Sequence, residues 1–243
     1  MSSDIDKKKR SLIYSDKREI IEYSSNLIRR GLELVRDINQ VDSNDAVAYY
    51  NRGFAHLEQG QYELAISDFT KAIEINPGYA EAYFFRGLAY GMKGQHDQAI
   101  SDYTKALEIN PRYAEAYFFR GLVYWDKGQY DQAISDYTKA IEINPGYAEA
   151  YNNRGAAYKK KGQYELAISD FTKVIEINPG YAAAYNNRGL VYWDKGQYDQ
   201  AISDYTKAIE INPGYAAAYN NRGLVYWDKG QYDQAISDFT KAI

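Results

Sequence analysis

The chain has 243 residues, 45 % of them apolar, a formal net charge of −4 and no cysteine. Disulfide and thiolate chemistry are excluded, and without an apolar run of membrane-spanning length the expectation is one soluble array in a reducing compartment, cytoplasmic by default. Acidic and basic residues are interspersed rather than segregated, which argues against a nucleic-acid track.

Residues 1–15 carry the one basic cluster, Lys7 to Arg10, and read as a flexible, solvated tail. The following Ser11-Leu12-Ile13-Tyr14 is too short for the apolar region of a signal peptide. Within 16–45, the spacing predicts a helix over 16–38. Ser15 or Asp16 is its N-cap, and Ile20, Ile21, Leu27, Ile28, Leu32, Val35 and Ile38 form its apolar side. Gly31, Leu32 and Val35 stand 34 residues before Ala65, Ile66 and Phe69. This helix is expected to cap the array that begins at Ala46, or else to swing into its groove.

From Ala46 onward a 34-residue period governs the chain: 46–79, 80–113, 114–147, 148–181, 182–215 and a partial copy over 216–243. In the first copy, apolar residues at three- and four-residue intervals predict amphipathic helices over 47–59 and 62–75. Gly60 stands where a left-handed residue ends the first helix, and Asn76-Pro77-Gly78 ends the second because proline cannot continue it. Gly53 and Ala65 leave room where the two helices cross, and Ala72 leaves room for the next copy. Each copy is a helical hairpin that cannot bury its apolar faces alone, so stability must come from stacking. The sixth copy stops within its second helix, and Ala235, Phe239 and Ala242 are expected to form an exposed stacking face.

In the third copy the spacing runs Tyr117-x2-Arg120-Gly121-x2-Tyr124, then Ala133-x3-Tyr137, Ala140 and Pro145. This resembles the tetratricopeptide repeat family. The resemblance implies an all-α fold, a right-handed α-solenoid of stacked helix-turn-helix hairpins. Two departures are regular. Tyrosine replaces the family's usual tryptophan at the fourth position, and arginine replaces its usual leucine at the seventh. Arg52, Arg86, Arg120, Arg154, Arg188 and Arg222 are each followed sixteen residues later by an aspartate, Asp68 to Asp238. That recurrence predicts a ladder of bidentate ion pairs between the helices of each hairpin.

The resemblance also implies that positions two, five, six, nine, twelve and thirteen of each copy line a concave groove. Those positions give two chemistries. Phe84, Phe85, Phe118 and Phe119, with Trp125, Leu88, Met92 and Leu122, form an aromatic cluster read as an anchor for a partner's apolar side chains. The competing reading tucks these rings between neighbouring copies. Asn152, Asn153, Asn186, Asn187, Asn220 and Asn221, beside Trp193 and Trp227, form an amide ladder that could hold an extended peptide backbone. This resembles the ladder in the repeat domain of the eukaryotic O-GlcNAc transferases, although Phe85 and Phe119 interrupt it. The family's clamp for an acidic chaperone tail is met here only by the asparagine at position six. Glu81, Glu115, Glu149, Asp126, Asp194 and Asp228 instead favour a partner with apolar and some basic residues.

His56 and His96 replace tyrosines of sister copies, and no second ligand stands at metal spacing. No nucleophile motif or phosphate loop lies outside the repeat pattern, so no catalytic residue, metal or cofactor is expected and no enzymatic activity. The leading reading is a protein-interaction scaffold that binds a partner peptide or helix in the groove. Two others stand beside it. One is a self-assembling scaffold, a homo-oligomer of which the magnetosome-coating repeat proteins of bacteria are one kind. The other is the recognition arm of a larger enzyme such as a glycosyltransferase.

Overall fold

The structure, a computed structural model, describes residues 45–243, so the expectations for the tail and for the helix over 16–38 lie outside the described residues. Those described form twelve helices. Ten pair as hairpins, α1 (Ala46–Glu58) with α2 (Tyr62–Ile75), α3 (Ala80–Met92) with α4 (His96–Ile109), α7 (Ala148–Lys160) with α8 (Tyr164–Ile177), α9 (Ala182–Asp194) with α10 (Tyr198–Ile211), and α11 (Ala216–Asp228) with α12 (Tyr232–Lys241); the third copy supplies α5 (Ala114–Asp126) and α6 (Tyr130–Ile143). No strand is present among the described residues. The chain divides into two compact units, one up to Gly128 and one of Gln129–Ile243.

Local chemistry explains the boundaries. Asp45 caps α1 by accepting from the backbone N–H groups of Val47 and Ala48 at 2.9 and 3.1 Å. Each first helix is followed by a glycine in the left-handed region, as at Gly60 (φ 72°) and Gly196 (φ 72°), where a side chain would strain the backbone. The second helices of the first five copies end in an Asn-Pro turn that the asparagine itself ties. The Gly78 N–H donates to Asn76 Oδ1 at 3.1 Å, and the Gly214 N–H donates to Asn212 Oδ1 at the same distance.

Inside a hairpin the close approach is glycine against an aromatic ring, a refinement of the expected crossing of Gly53 on Ala65. A Cβ on Gly53 would lie 3.0 Å from the Phe69 ring, and one on Gly189 only 2.8 Å from that of Tyr205. The ring at this place is phenylalanine or tyrosine and is fully buried in Phe69, Tyr103, Phe171 and Tyr205. Between hairpins the small residue is the expected alanine: Ala72 and Ile73 of α2 pack against Ala82 of α3, both alanines with no exposed surface. One member of the expected stacking face is corrected. Ala235 is wholly buried, while Phe239, its ring over Gly223, and Ala242 are half-buried where Phe69 and Ala72 have no exposed surface; Trp227, Tyr232, Ile236 and Ile243 are exposed.

The arginines at the seventh position do more than pair within a hairpin. Arg188 donates through Nε and Nη2 to the two carboxylate oxygens of Asp204, each at 2.8 Å, and through Nη1 to Thr172 Oγ1 of the preceding hairpin at 3.0 Å. Arg86 repeats this with Asp102 and Thr70, Arg154 with Asp170 and Thr138, and Arg222 with Asp238 and Thr206. Arg120 likewise reaches back to Thr104 at 2.9 Å. Tyrosines at positions four and eleven stand over the guanidinium. Tyr185 and Tyr192 lie 5.8 and 5.9 Å from that of Arg188. In the first hairpin the eleventh position is His56, half-buried, with Nδ1 at 2.6 Å from Gln61 Oε1 and Nε2 at 3.7 Å from Asp68.

A second inter-hairpin tie recurs on the exposed edge. The lysine after each first helix from α3 onward reaches an acid thirty residues earlier, as Lys127 to Asp97 and Lys229 to Asp199, both at 2.5 Å, and Lys161 to Asp131. Exposed pairs of this kind are worth at most about 1 kcal/mol each.

Burial pushes the Asp170 carboxyl up against the downward pull of the Arg154 guanidinium, so desolvation offsets much of the attraction. Removing one partner is then far worse than removing both. Arg188→Leu should destabilise by about 3–5 kcal/mol in chemical denaturation, because it strands the Asp204 carboxylate. The double change Arg188→Leu with Asp204→Tyr should recover most of that loss; equal damage from single and double variants would contradict the pairing.

Burial also raises the phenol of Tyr79 to about 12 and those of Tyr50, Tyr103, Tyr113 and Tyr205 further still. A tyrosine that ionises near pH 10 only when unfolded favours the unfolded state above that pH. The tyrosine contribution to stability should therefore be level below about pH 10 and fall as pH rises beyond it. Phenolate absorbance should grow first for exposed tyrosines, then in one step together with the loss of helical circular dichroism. Ionisation of all tyrosines as a single population with the helices intact would contradict this burial.

Candidate partner-binding surface

The first helices, α1, α3, α5, α7, α9 and α11, carry the expected binding residues, and each compact unit treats them differently. Up to Gly128 the structure corrects the aromatic part of the expectation. Phe84 is 3 % exposed, Phe85 5 %, and Phe118 and Phe119 6 % each. Phe84 lies 4.9 Å from Phe85, 4.9 Å from Tyr113 and 5.4 Å from Phe119, ring centre to ring centre. Phe85 also stacks 6.1 Å from Phe69, the buried ring of the preceding hairpin, and Phe119 lies 6.4 Å from Tyr103. The sixth-position ring thus fills the gap between one hairpin and the next, and the fifth-position ring closes over it. Leu88 is buried with them, while Met92, Leu122 and Trp125 are half-buried. These rings are interior, not a free anchor.

In Gln129–Ile243 amides fill the same gap. Asn152, Asn153 and Asn186 are buried, Asn187 and Asn221 half-buried, and Asn220 exposed. They are tied to one another across hairpins: Asn187 Nδ2 donates to Asn152 Oδ1 at 3.1 Å, and Asn221 Nδ2 to Asn186 Oδ1 at 2.9 Å. Asn153 Nδ2 turns back to the Glu149 carbonyl at 2.9 Å. A buried amide must find such partners. Each sixth-position asparagine donates through Nδ2, which leaves its Oδ1 as an acceptor.

A second cross-hairpin row runs beside the amides. Lys159 Nζ stands 2.9 Å from Asp194, and Trp193 Nε1 donates to Asp228 Oδ2 at 2.8 Å. Two of the acids expected to face a partner therefore already have one. Trp193 is half-buried by this arrangement, and Leu190, Tyr192, Tyr198 and Ile202 pack with it around Ala201, Tyr205 and Val225. Trp227, the same residue one copy later, is 54 % exposed with its ring 5.0 Å from that of Tyr232. Glu149 is exposed. Among the described residues no group of three or more His, Asp or Glu is placed to hold a metal ion, and no helix there is long and apolar enough to cross a membrane.

Sequence reading missed the cross-hairpin partners: Thr172 for Arg188, Asp228 for Trp193 and Asn152 for Asn187. The signal was present for two of them, since the Arg–Thr pair recurs at an offset of 16 residues and the Asn–Asn pair at 35. An offset near the period cannot say by itself whether two residues meet.

The family description "Tetratricopeptide repeat" matches residues 46–79, 80–113, 148–181, 182–215 and 216–243, and a second, "TPR repeat", matches 121–162. The chain belongs to the tetratricopeptide repeat family. No curated protein matches it. Among solved structures it is similar to MamA, with 37 % identity over 64 % of this chain and 91 % of that one, at a TM-score of 0.61. It is also similar to YrrB, described as a TPR protein with an unusual peptide-binding site, with 26 % identity over 80 % and 94 % of the two chains and a TM-score of 0.64. Pseudomonas aeruginosa PilF shares the fold at 20 % identity, over 79 % and 88 % of the chains, with a TM-score of 0.69. The hairpin stack is thus a tetratricopeptide fold, as its repeat spacing implied.

The amide row can be tested on its own. Asn221→Ala and Asn186→Ala, combined in a double-mutant cycle of unfolding free energies, should show a coupling of about 0.5–1.5 kcal/mol. A coupling of zero would mean the two amides do not bond.

Proposed function

We propose that this protein is a non-enzymatic interaction scaffold, cytoplasmic in keeping with its lack of cysteine. Its first-helix face within Gln129–Ile243 takes an extended or helical segment of a partner protein. The observation that carries the reading is the composition of that face. Asparagine acceptors at Asn187 and Asn221, the exposed Asn220 and the exposed indole of Trp227 share this face with the exposed carboxylate of Glu149 and with that of Asp228, which accepts from the uncharged Trp193 indole. Acceptors, acids and one open aromatic suit a segment with N–H donors, apolar side chains and some Lys or Arg. The likeness to YrrB, whose description names a peptide-binding site, supports a peptide as ligand. The aromatic positions of the first unit support the fold rather than the contact, because their rings are buried.

A self-assembling scaffold is the second reading, favoured by the exposed apolar group of Trp227, Tyr232 and Ile236. The two readings separate cleanly. Peptides selected from a random display library against the intact chain should carry basic and apolar residues, and should bind more weakly as salt is raised. They should lose about tenfold in affinity to the triple variant Asn187→Ala, Asn221→Ala, Trp227→Ala. Peptides indifferent to both changes would rule this face out. Concentration-dependent light scattering without any selected peptide would favour self-assembly.

A further inference from the structure

Two faces among the described residues are less covered than their counterparts. One is the upstream face of α1, the equivalent of the α3 face that packs on α2. There Ala48 is half-buried where the matching Ala82 has no exposed surface, and the Arg52 side chain is 28 % exposed against 16 % for Arg86. The other is the outer face of α12. Phe239 and Ala242 are half-buried where Phe69 and Ala72 of α2 have no exposed surface, and Ile243 is exposed where Ile73 is buried.

The two faces carry complementary halves of the contact that joins one hairpin to the next. Arg86, Arg154, Arg188 and Arg222 each donate through Nη1 to a threonine sixteen residues earlier. Arg52 spends Nε and Nη2 on Asp68, and no hydroxyl among the described residues meets its Nη1. Thr206 donates to the Ile202 carbonyl and accepts from Arg222. Its counterpart Thr240 is exposed and makes the same bond to the Ile236 carbonyl, at 2.8 Å, but no arginine among the described residues donates to it. The amide row divides in the same way. Asn187 and Asn221 donate to fifth-position asparagines 35 residues earlier. Asn220, the next fifth-position acceptor, is exposed, and Asn51 is the one sixth-position asparagine of the first unit.

We propose that a second copy of this chain joins these faces, with α12 of one copy packed on the upstream face of α1 of the other in the register that α2 takes on α3. Moving α1 on by six periods sets Arg52 opposite Thr240, Asn51 opposite Asn220 and Ala48 opposite Ala242. Inside one chain the same places are held by Arg222 with Thr206, Asn221 with Asn186, and Ala82 with Ala72. Trp227 then meets Glu58, a carboxylate where Trp193 finds Asp228. One tie is not reproduced: Gln59 stands where a lysine would reach Asp233, which forgoes only an exposed ion pair. An unrelated apolar segment could cover Ile243 and Ala242 but would leave Thr240, Asn220 and Nη1 of Arg52 unmatched. The contact joins two different faces, so copies add head to tail. It rests on the self-assembling reading and gives that reading its surface.

The chain has no cysteine, so single cysteines report the contact in the full chain. Mixed under mild oxidation, the Ala48→Cys and Ala242→Cys proteins should bridge to each other well above either protein alone. Ala48→Cys mixed with Ser237→Cys should not, since Ser237 and its equivalents are exposed in every copy. In sedimentation velocity the unmodified chain should associate as its concentration rises. Thr240→Lys sets an ammonium against the Arg52 guanidinium, and should weaken that association about tenfold with helical circular dichroism unchanged. Association that ignores Thr240→Lys, without the mixed bridge, overturns this contact and leaves self-assembly to another surface. Bridging chiefly between two Ala242→Cys copies overturns it in favour of a tail-to-tail pair. A chain that stays monomeric at every concentration overturns both the contact and the self-assembling reading.

Discussion

Four of the hairpins hang on a single arginine whose fork is used on all sides, Arg86, Arg154, Arg188 and Arg222. In Arg188 two arms are fixed to an aspartate on the partner helix, the third reaches a threonine of the preceding hairpin, and tyrosines stand over the guanidinium. A leucine there would fill the same gap but would accept any apolar neighbour. The guanidinium accepts only a carboxylate and a hydroxyl at fixed places, so a slip of one residue between helices or between hairpins breaks three hydrogen bonds at once. Because the carboxylate is buried, desolvation offsets much of the attraction. The network therefore contributes more to fixing the register than to net stability. Glycine then comes into close contact with the ring at Tyr205 or Phe69, since the pair holds the two helices at the separation that only a glycine allows.

With the register fixed on that side of the first helix, the fifth and sixth positions are free to vary, and they do. Paired phenylalanines in the second and third copies give way to paired asparagines in the last three. Both solutions close the same gap. Rings do it by edge-to-face contact, as Phe84 on Phe119 at 5.4 Å, and amides by hydrogen bonds from one hairpin to the next, as Asn187 to Asn152. The polar version costs little burial energy because its donors are satisfied, and it leaves acceptor oxygens where the rings left only carbon.

Most of the fold was legible because repetition makes a weak local signal strong. The helices expected over 47–59 and 62–75 are found at Ala46–Glu58 and Tyr62–Ile75, and the Arg–Asp pairing was readable from its recurrence alone. Exposure was not readable. Phe85 sits on a helix face that points out of its own hairpin, and the Tyr50, Phe54 and Phe69 rings of the neighbouring hairpin pack against it. Periodicity within a helix reports which residues share a face, not what the next hairpin places against it. The same limit hid the bond from Trp193 to Asp228 and misplaced the open surface onto Ala235.

Environment, not residue identity, separates scaffold from contact in this array. Trp193 and Trp227 are the same residue in nearly identical copies, yet Trp193 donates to an aspartate of the following hairpin and is half-buried, while Trp227 is 54 % exposed beside Tyr232. Asn186 and Asn220 divide in the same way, one 3 % exposed and accepting from Asn221, the other open. A repeated residue is bound into the stack wherever a neighbouring side chain satisfies it, so its identity alone does not say whether it is buried or open. The same asparagine or tryptophan takes its exposure from the residues packed against it.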